Sequence, residues 1–229
     1  MPSWGIHLEI ANKLSEKLVS NENKNIFLIG NILPDINNGF VVSEISTIIP
    51  HYITHYVGEK DFKNYKRFYN KYNKNLKEPL ILGCLTHLMA DYYFNNLTYT
   101  EKVIWNAERT EKLGIKLNDG QILYCDEETI RVTKTDDYKI FSDFIYRNCK
   151  LPELIYDANV LSVNDIVEEI KINKQDVDNS LKYLNDFITH KKFVDIPRKE
   201  YRTFSQEELL KNVDLCVDFI INELKEMSN

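Results

Sequence analysis

Apolar and polar positions along the chain centre on Leu80 to Asn95, LILGCLTHLMADYYFN. Read as a helix, Ile81, Cys84, Leu85, Leu88 and Tyr92 form one stripe, and Leu82, Met89 and Tyr93 cover much of the rest. A helix that is apolar on most sides is a central, buried one. Yet it carries His87 and Asp91, four residues apart and therefore on one face. An imidazole and a carboxylate are costly to bury unless each has a partner. That partner is the other member of the pair, or a metal ion held by both. Gly83, one turn before His87, leaves the same face without a side chain.

The rest of the pattern is helical. Ile6, Ile10, Leu14 and Leu18 predict a helix from Pro2 or Ser3 to about Ser20, with His7 one position off the stripe. Ile26 to Ile29 is a short apolar run, helical or extended, interrupted by Gly30. Pro34 disfavours helix at Leu33, so Pro34-Asp35 reads as a turn ending a buried segment. In PHYITHY, His51 and His55 stand four apart and share a face if helical. Phe62, Tyr65, Tyr69, Tyr72 and Leu76 predict a helix over 60–77, and a further helix is expected over 98–113, ending at Gly114. Alternation of Ile122 with Tyr124 and of Ile130 with Val132 predicts a β-hairpin near residues 120–134. Helices follow at 138–149, after Ser162 (Val163, Ile166, Val167, Ile170), around Val177–Ile188, and from a Ser205/Glu208 capping box through Leu224. Pro197 ends the segment that links the last two. The fold class is mainly α: a multi-helix bundle around a buried central helix, with the small β-hairpin insertion.

Composition narrows this picture. At 229 residues, with 43% hydrophobic residues, the chain suits one domain over 1–229. Its metal-site half would be 1–95, and its helical remainder with the β insertion 96–229. Seven Gly and six Pro favour helix over a β-sandwich. A net charge of −6 excludes a generally basic nucleic-acid binder, and sequence-specific nucleic acid is not an expected partner. The four cysteines, Cys84, Cys125, Cys149 and Cys216, have no CxxC spacing, so neither a disulfide framework nor a thiolate site is expected. No signal peptide and no membrane span are visible, which makes a cytoplasmic protein the simplest expectation.

The histidines are unevenly placed. His7, His51, His55 and His87 fall in the first 91 residues, and His190 alone follows, in a surface-type THKK context. The first four occur with Asp35 and Asp91 in apolar-rich stretches. Imidazole with carboxylate suits zinc, and also iron or manganese. No nucleophile elbow and no phosphate-cradling Gly-rich loop compete with that chemistry. Water activated by a metal is then the most economical mechanism.

The ordered pieces GIHLEIA, GNILPDI, THY and HLMADYYF resemble the bacterial zinc-dependent phospholipase C family, which is mostly helical and distantly related to single-strand-specific zinc nucleases. The resemblance covers residues 1–95. It implies that Asp35, a histidine of THY, His87 and Asp91 hold one metal ion, and that His7 and a bridging Asp91 contribute to a second. His55 matches the Thr-His-aromatic position. His51 is a further candidate ligand or a general acid, and with Asp35 a candidate catalytic residue. Secreted members bind metal through an N-terminal Trp; here Met1-Pro2-Ser3 precede Trp4. Their later His, His and H-x-x-x-E trio has no counterpart, so one or two ions are expected. The implied activity is hydrolysis of a small phosphoester or phospholipid head group. The alternative is a non-catalytic metal-binding or scaffold protein that retains the fold. A phosphohydrolase of the HD type would need an adjacent His-Asp dipeptide, which does not occur.

Overall fold

The structure, a computed structural model, describes residues 2–58, 63–192, 194–195 and 198–227. It is mainly α with a small antiparallel sheet. In chain order the helices are α1 (Trp4–Leu18), α2 (Lys24–Gly30), α3 (Leu33–Ile36), α4 (His51–Thr54), α5 (Asn64–Tyr72), α6 (Pro79–Leu97), α7 (Glu127–Asn148), α8 (Val163–Ile166), α9 (Lys174–Ile188) and α10 (Gln206–Met227). The strands β1 (Val103–Trp105), β2 (Lys112–Lys116) and β3 (Ile122–Tyr124) lie between α6 and α7.

The central helix is α6. Pro79 occupies its first turn, where a missing N–H costs nothing. Leu80, Ile81, Cys84, Leu85, Leu88, Met89 and Phe94 are all buried, on several sides of the helix. Helices α1, α2, α5 and α10 pack around it. The main core runs from Trp4 to Ile220 and draws on both halves of the chain. Several ends are capped as their residues require. Asp126 accepts from Thr129 N at α7, Asn173 and Asp176 form a capping box at α9, and Ser205 and Glu208 bond reciprocally at α10.

The β insertion lies earlier than its expected place near 120–134. The stretch 98–113 is not a helix: residues 98–102 close α6 as a wide turn, and Val103 then begins a strand paired with Ile115. Ile122 and Tyr124 are strand residues as expected, but they pair back to β2. Ile130 and Val132 belong to α7, and Ile130 packs on Val103 and Ile115 to form a second small core. The run after Ser162 stops at Ile166, with Val167 extended. Leu33 is helical, in the single turn α3 that Pro34 starts. α5 begins at Asn64; Phe62 and Pro197 lie outside the described residues.

The face of α6 at Gly83 is not open. The backbone of α2 fills it: a Cβ at Gly83 would lie 2.8 Å from Asn31 N and closer still to the Phe27 carbonyl oxygen. Gly30 meets the Leu80 backbone in the same way. Two glycines thus let two backbones touch. Gly83→Ala should lower stability by the upper part of the about 1–3 kcal/mol that overpacking costs, because backbone cannot step aside. Gly120→Ala, at φ +86° with nothing within 4 Å, should cost only about 1–2 kcal/mol of left-handed strain. Urea denaturation of the two variants checks the ranking, and a Gly83→Ala loss below that of Gly120→Ala contradicts it.

Candidate metal centre

Five of the six proposed ligands meet, buried, at the middle of the bundle, and the sixth, His51, brings a ring nitrogen within 4.8 Å of ligand atoms of His55 and Asp91. His7 comes from α1, Asp35 from α3, His55 from the residue after α4, and His87 and Asp91 from successive turns of α6. All five are buried, His7, His55 and His87 completely. His51, in the first turn of α4, stacks on His55 with ring centroids 3.8 Å apart and remains partly exposed. His190 is at the surface beside Asp186.

The distances are those of ligands around a common point. His55 Nε2 lies 3.1 Å from His87 Nε2, 3.3 Å from Asp35 Oδ1 and 3.3 Å from Asp91 Oδ2. His87 Nε2 lies 3.6 Å from Asp91 Oδ2 and 3.8 Å from Asp35 Oδ2. Four ligands at the zinc–nitrogen distance of about 2.0–2.1 Å stand roughly 3.3–3.4 Å apart in a tetrahedron. The observed edges bracket that value. On the far side of Asp91, His7 Nε2 approaches Oδ1 at 3.3 Å, and the His7 ring stacks on His87 with centroids 3.9 Å apart. Asp91 therefore offers one oxygen to each of two groups of histidines, and the buried His/Asp cluster could hold a metal ion.

Neighbouring groups set which ring nitrogens carry lone pairs. The Asn31 carbonyl lies 2.7 Å from His87 Nδ1. A carbonyl only accepts, so Nδ1 carries the hydrogen and Nε2 presents a lone pair to the cluster. Asn31 stands there because the two glycines bring α2 onto α6. Thr54 Oγ1 donates to the His51 carbonyl and lies 2.8 Å from His55 Nδ1, so Nδ1 carries a hydrogen and Nε2 faces the cluster. Asp35 accepts from the Trp4 indole at 3.0 Å and from Asn38 Nδ2 at 2.9 Å. Trp4 thus serves the cluster through its ring rather than through a chain terminus. Trp4, Asn31, Asn38 and Thr54 escaped sequence reasoning. The signal for two of them was available: Trp4 lies one turn before His7 on α1, and Thr54 is part of the THY piece.

The protonation balance keeps negative charge at the centre. Burial alone would raise both carboxyls, but the imidazoles around them more than offset it and hold Asp35 and Asp91 well below the ordinary range. Burial, and after it His7, pushes His87 down to about 3. Burial opposes a charge on His55 as well, yet its hydrogen bond to Asp35 and the two carboxylates raise its pKa. Burial and then His55 lower His51 to about 4. Both nitrogens of His7 and both oxygens of Asp91 are buried without a hydrogen bond. Buried polar atoms without partners are rare and expensive. A divalent ion between His7 Nε2 and Asp91 Oδ1 would give that pair of atoms a partner, and one beside His55 would displace its proton.

A cavity reaches the cluster from the α3 and α4 side. It measures about 710 Å³ and has Trp4, Asp35 and His51 in its wall, together with Phe40, Tyr138 and residues of α7 and α9. No helix among the described residues is long and apolar enough to cross a membrane. Compared with protein-family models, curated proteins and solved structures, the chain matches none.

Metal stripped from the protein with chelator and then restored should raise the unfolding free energy by about 2.7 kcal/mol at a hundredfold excess over Kd, read as a higher melting temperature. Asp91→Asn should abolish that shift, since it removes charge from both groups of histidines. Asp35→Asn should weaken it less. Trp4→Phe keeps the ring but removes the donor to Asp35, and should weaken metal binding by about tenfold to a hundredfold. Calorimetric titration checks all three, and undiminished binding by Asp91→Asn would refute the shared-carboxylate arrangement.

Proposed function

We propose that the chain is a metal-dependent hydrolase of phosphoester bonds, phospholipase C-like in its ligand set. The observation that carries this reading is the position of the cluster. It is buried among helices, as a centre of fixed geometry must be, yet Asp35 and His51 open onto a cavity within the about 300–1,000 Å³ range of small-molecule sites. A site serving structure alone has no need of such access. Zinc fits the imidazole and carboxylate donors and the tetrahedral spacing, with iron or manganese as alternatives. When bound, such an ion lowers the pKa of water and polarises a phosphoryl oxygen.

The chain's own residues supply the rest. Asp91 and His87 fix the inner side of the centre from the rigid helix α6. Asp35, held by Trp4 and Asn38, closes it on the cavity side and keeps its carboxylate ionised. His51 stands at the cavity face, held flat against His55. We assign it proton transfer at the reacting oxygens, the role that a partly exposed imidazole beside the ligands can fill. The substrate is a small phosphoester, with a phospholipid head group as one member of that class.

Stripping the metal should abolish hydrolysis across a panel of chromogenic phosphate mono- and diesters, and zinc or manganese should restore it. A fully metallated protein that turns over none of them would instead be a metal-binding protein that keeps the arrangement without the reaction. His51→Ala should retain its metal and lose at least about a hundredfold in rate, with one limb of the pH profile. Loss of a metal equivalent would make His51 a ligand, and unchanged rate and metal content would remove it from the reaction.

A further inference from the structure

One wall of the cavity is a face of α7 that supplies Arg131, Lys134, Thr135, Tyr138 and Ser142, residues at the three- and four-residue spacing of a single helix face. Lys134 is the unusual member. Its residue is only 7% exposed. Its ammonium meets Asn95 Oδ1 at 3.5 Å and lies 5.7 Å from the Tyr99 ring centre, and no carboxylate among the described residues lies within 4 Å of it. Other well-covered lysines are matched: Lys102 with Glu208 at 2.7 Å, and Lys112 with Glu127. A charged group is costly to bury without a partner. Arg131 is already held by Glu128.

Lys134 lines the same cavity as Asp35 and His51. Burial brings its pKa down to about 8, and the charge of Asp91 limits the fall. At neutral pH it is still mostly a cation. A buried cation in a cavity wall, with a single weak acceptor, suits an anion that arrives with a ligand.

We propose that Lys134 is the anion-binding residue of this cleft, its ammonium donating to a non-bridging oxygen of a phosphate group lodged beside Asp35 and His51. This inference names how the substrate's phosphoryl group would be held, and it rests on the hydrolase reading for the reaction but not for the binding.

Calorimetric titration with inorganic phosphate separates the two. Wild type, Lys134→Met and Lys134→Arg are titrated near neutral pH, each with metal bound and after stripping. Lys134→Met should bind phosphate about tenfold to a hundredfold more weakly in both states, the range of one charge-assisted hydrogen bond. Lys134→Arg, which keeps the charge, should stay within about threefold of wild type. Metal content should be the same in all three proteins. Lys134→Gln replaces the methionine variant if that protein is unstable. Phosphate binding by Lys134→Met within about twofold of wild type overturns the proposal, and so does a wild type that binds no phosphate. Binding lost in Lys134→Met while no ester is hydrolysed keeps the subsite and removes the hydrolase reading. Hydrolysis with phosphate binding unchanged in the variant does the reverse.

Discussion

Everything at the centre depends on the hydrogen bond from His87 Nδ1 to the Asn31 carbonyl. It decides that Nε2 of His87 bears a lone pair, and so decides what the cluster can bind. The bond exists only because α2 and α6 touch backbone to backbone at Gly30 and Gly83. A methyl group at either would separate the helices and withdraw the carbonyl. The same contact aligns the chain that leaves α2, whose next turn delivers Asp35 from the opposite side. A packing constraint of two hydrogen atoms thus sets the orientation of one ligand and the position of another.

Buried acids elsewhere in the molecule show what satisfaction by protein alone looks like. Asp137 is fully buried and accepts from Arg198 and from the backbone N–H groups of Arg202, Thr203 and Phe204. It ties the segment before α10 onto α7, and its partners explain its burial. Asp176 closes a helix cap and accepts from Ser46. Asp91 is as deeply buried and has no hydrogen-bond donor. Its neighbours are imidazoles: His87 turns a lone pair toward it, and His55 holds a proton between it and Asp35. Two carboxylates converging in a low-dielectric interior are mutually repulsive without a positive charge between them, here a proton where a metal ion would otherwise stand. That contrast, more than the presence of His and Asp together, distinguishes a ligand set from a polar core.

The parts of the fold legible in the sequence were those where local pattern and tertiary demand agree. The all-round apolar character of α6 announced its burial, and the i, i+4 pair His87/Asp91 announced the site. The capping box at Ser205 was readable because its two bonds are local. The β insertion and its strand at Ile122–Tyr124 were legible, but the stretch 98–113 and the arm at 130–132 were misread because tertiary pairing overrides propensity there. TEKVIWNAERTEKL is rich in helix formers, but Val103 and Ile115 are buried by pairing with each other and packing on Ile130, a contact that no local window contains. Ile130 and Val132 mimicked strand alternation although only Ile130 turns inward. The supporting groups Asn31 and Asn38 were invisible for a related reason: an amide in a loop carries no periodicity, and its role depends on which side chain the fold brings near. Lys134 was hidden by the ordinary expectation that lysine is a surface residue.

The site is asymmetric, and the asymmetry has chemical meaning. On the α1 and α6 side, His7 and His87 are stacked and sealed. On the α3 and α4 side, Asp35 and His51 meet the cavity. The cavity wall then continues in aromatic rings: Trp4 meets Tyr183 edge-on at 6.1 Å, Tyr183 meets Phe187 at 5.0 Å, and Phe187 stacks on Tyr146 at 5.2 Å. Basic residues of α7 occupy another part of the same wall. The same cavity thus carries cations on one portion of its wall and stacked rings on another. Trp4 joins the two functions, because its indole orients Asp35 while its ring begins the aromatic row. A ligand pressing on that row would therefore press on a group that holds a proposed metal ligand. One side chain thus belongs both to the cavity wall and to the support of Asp35.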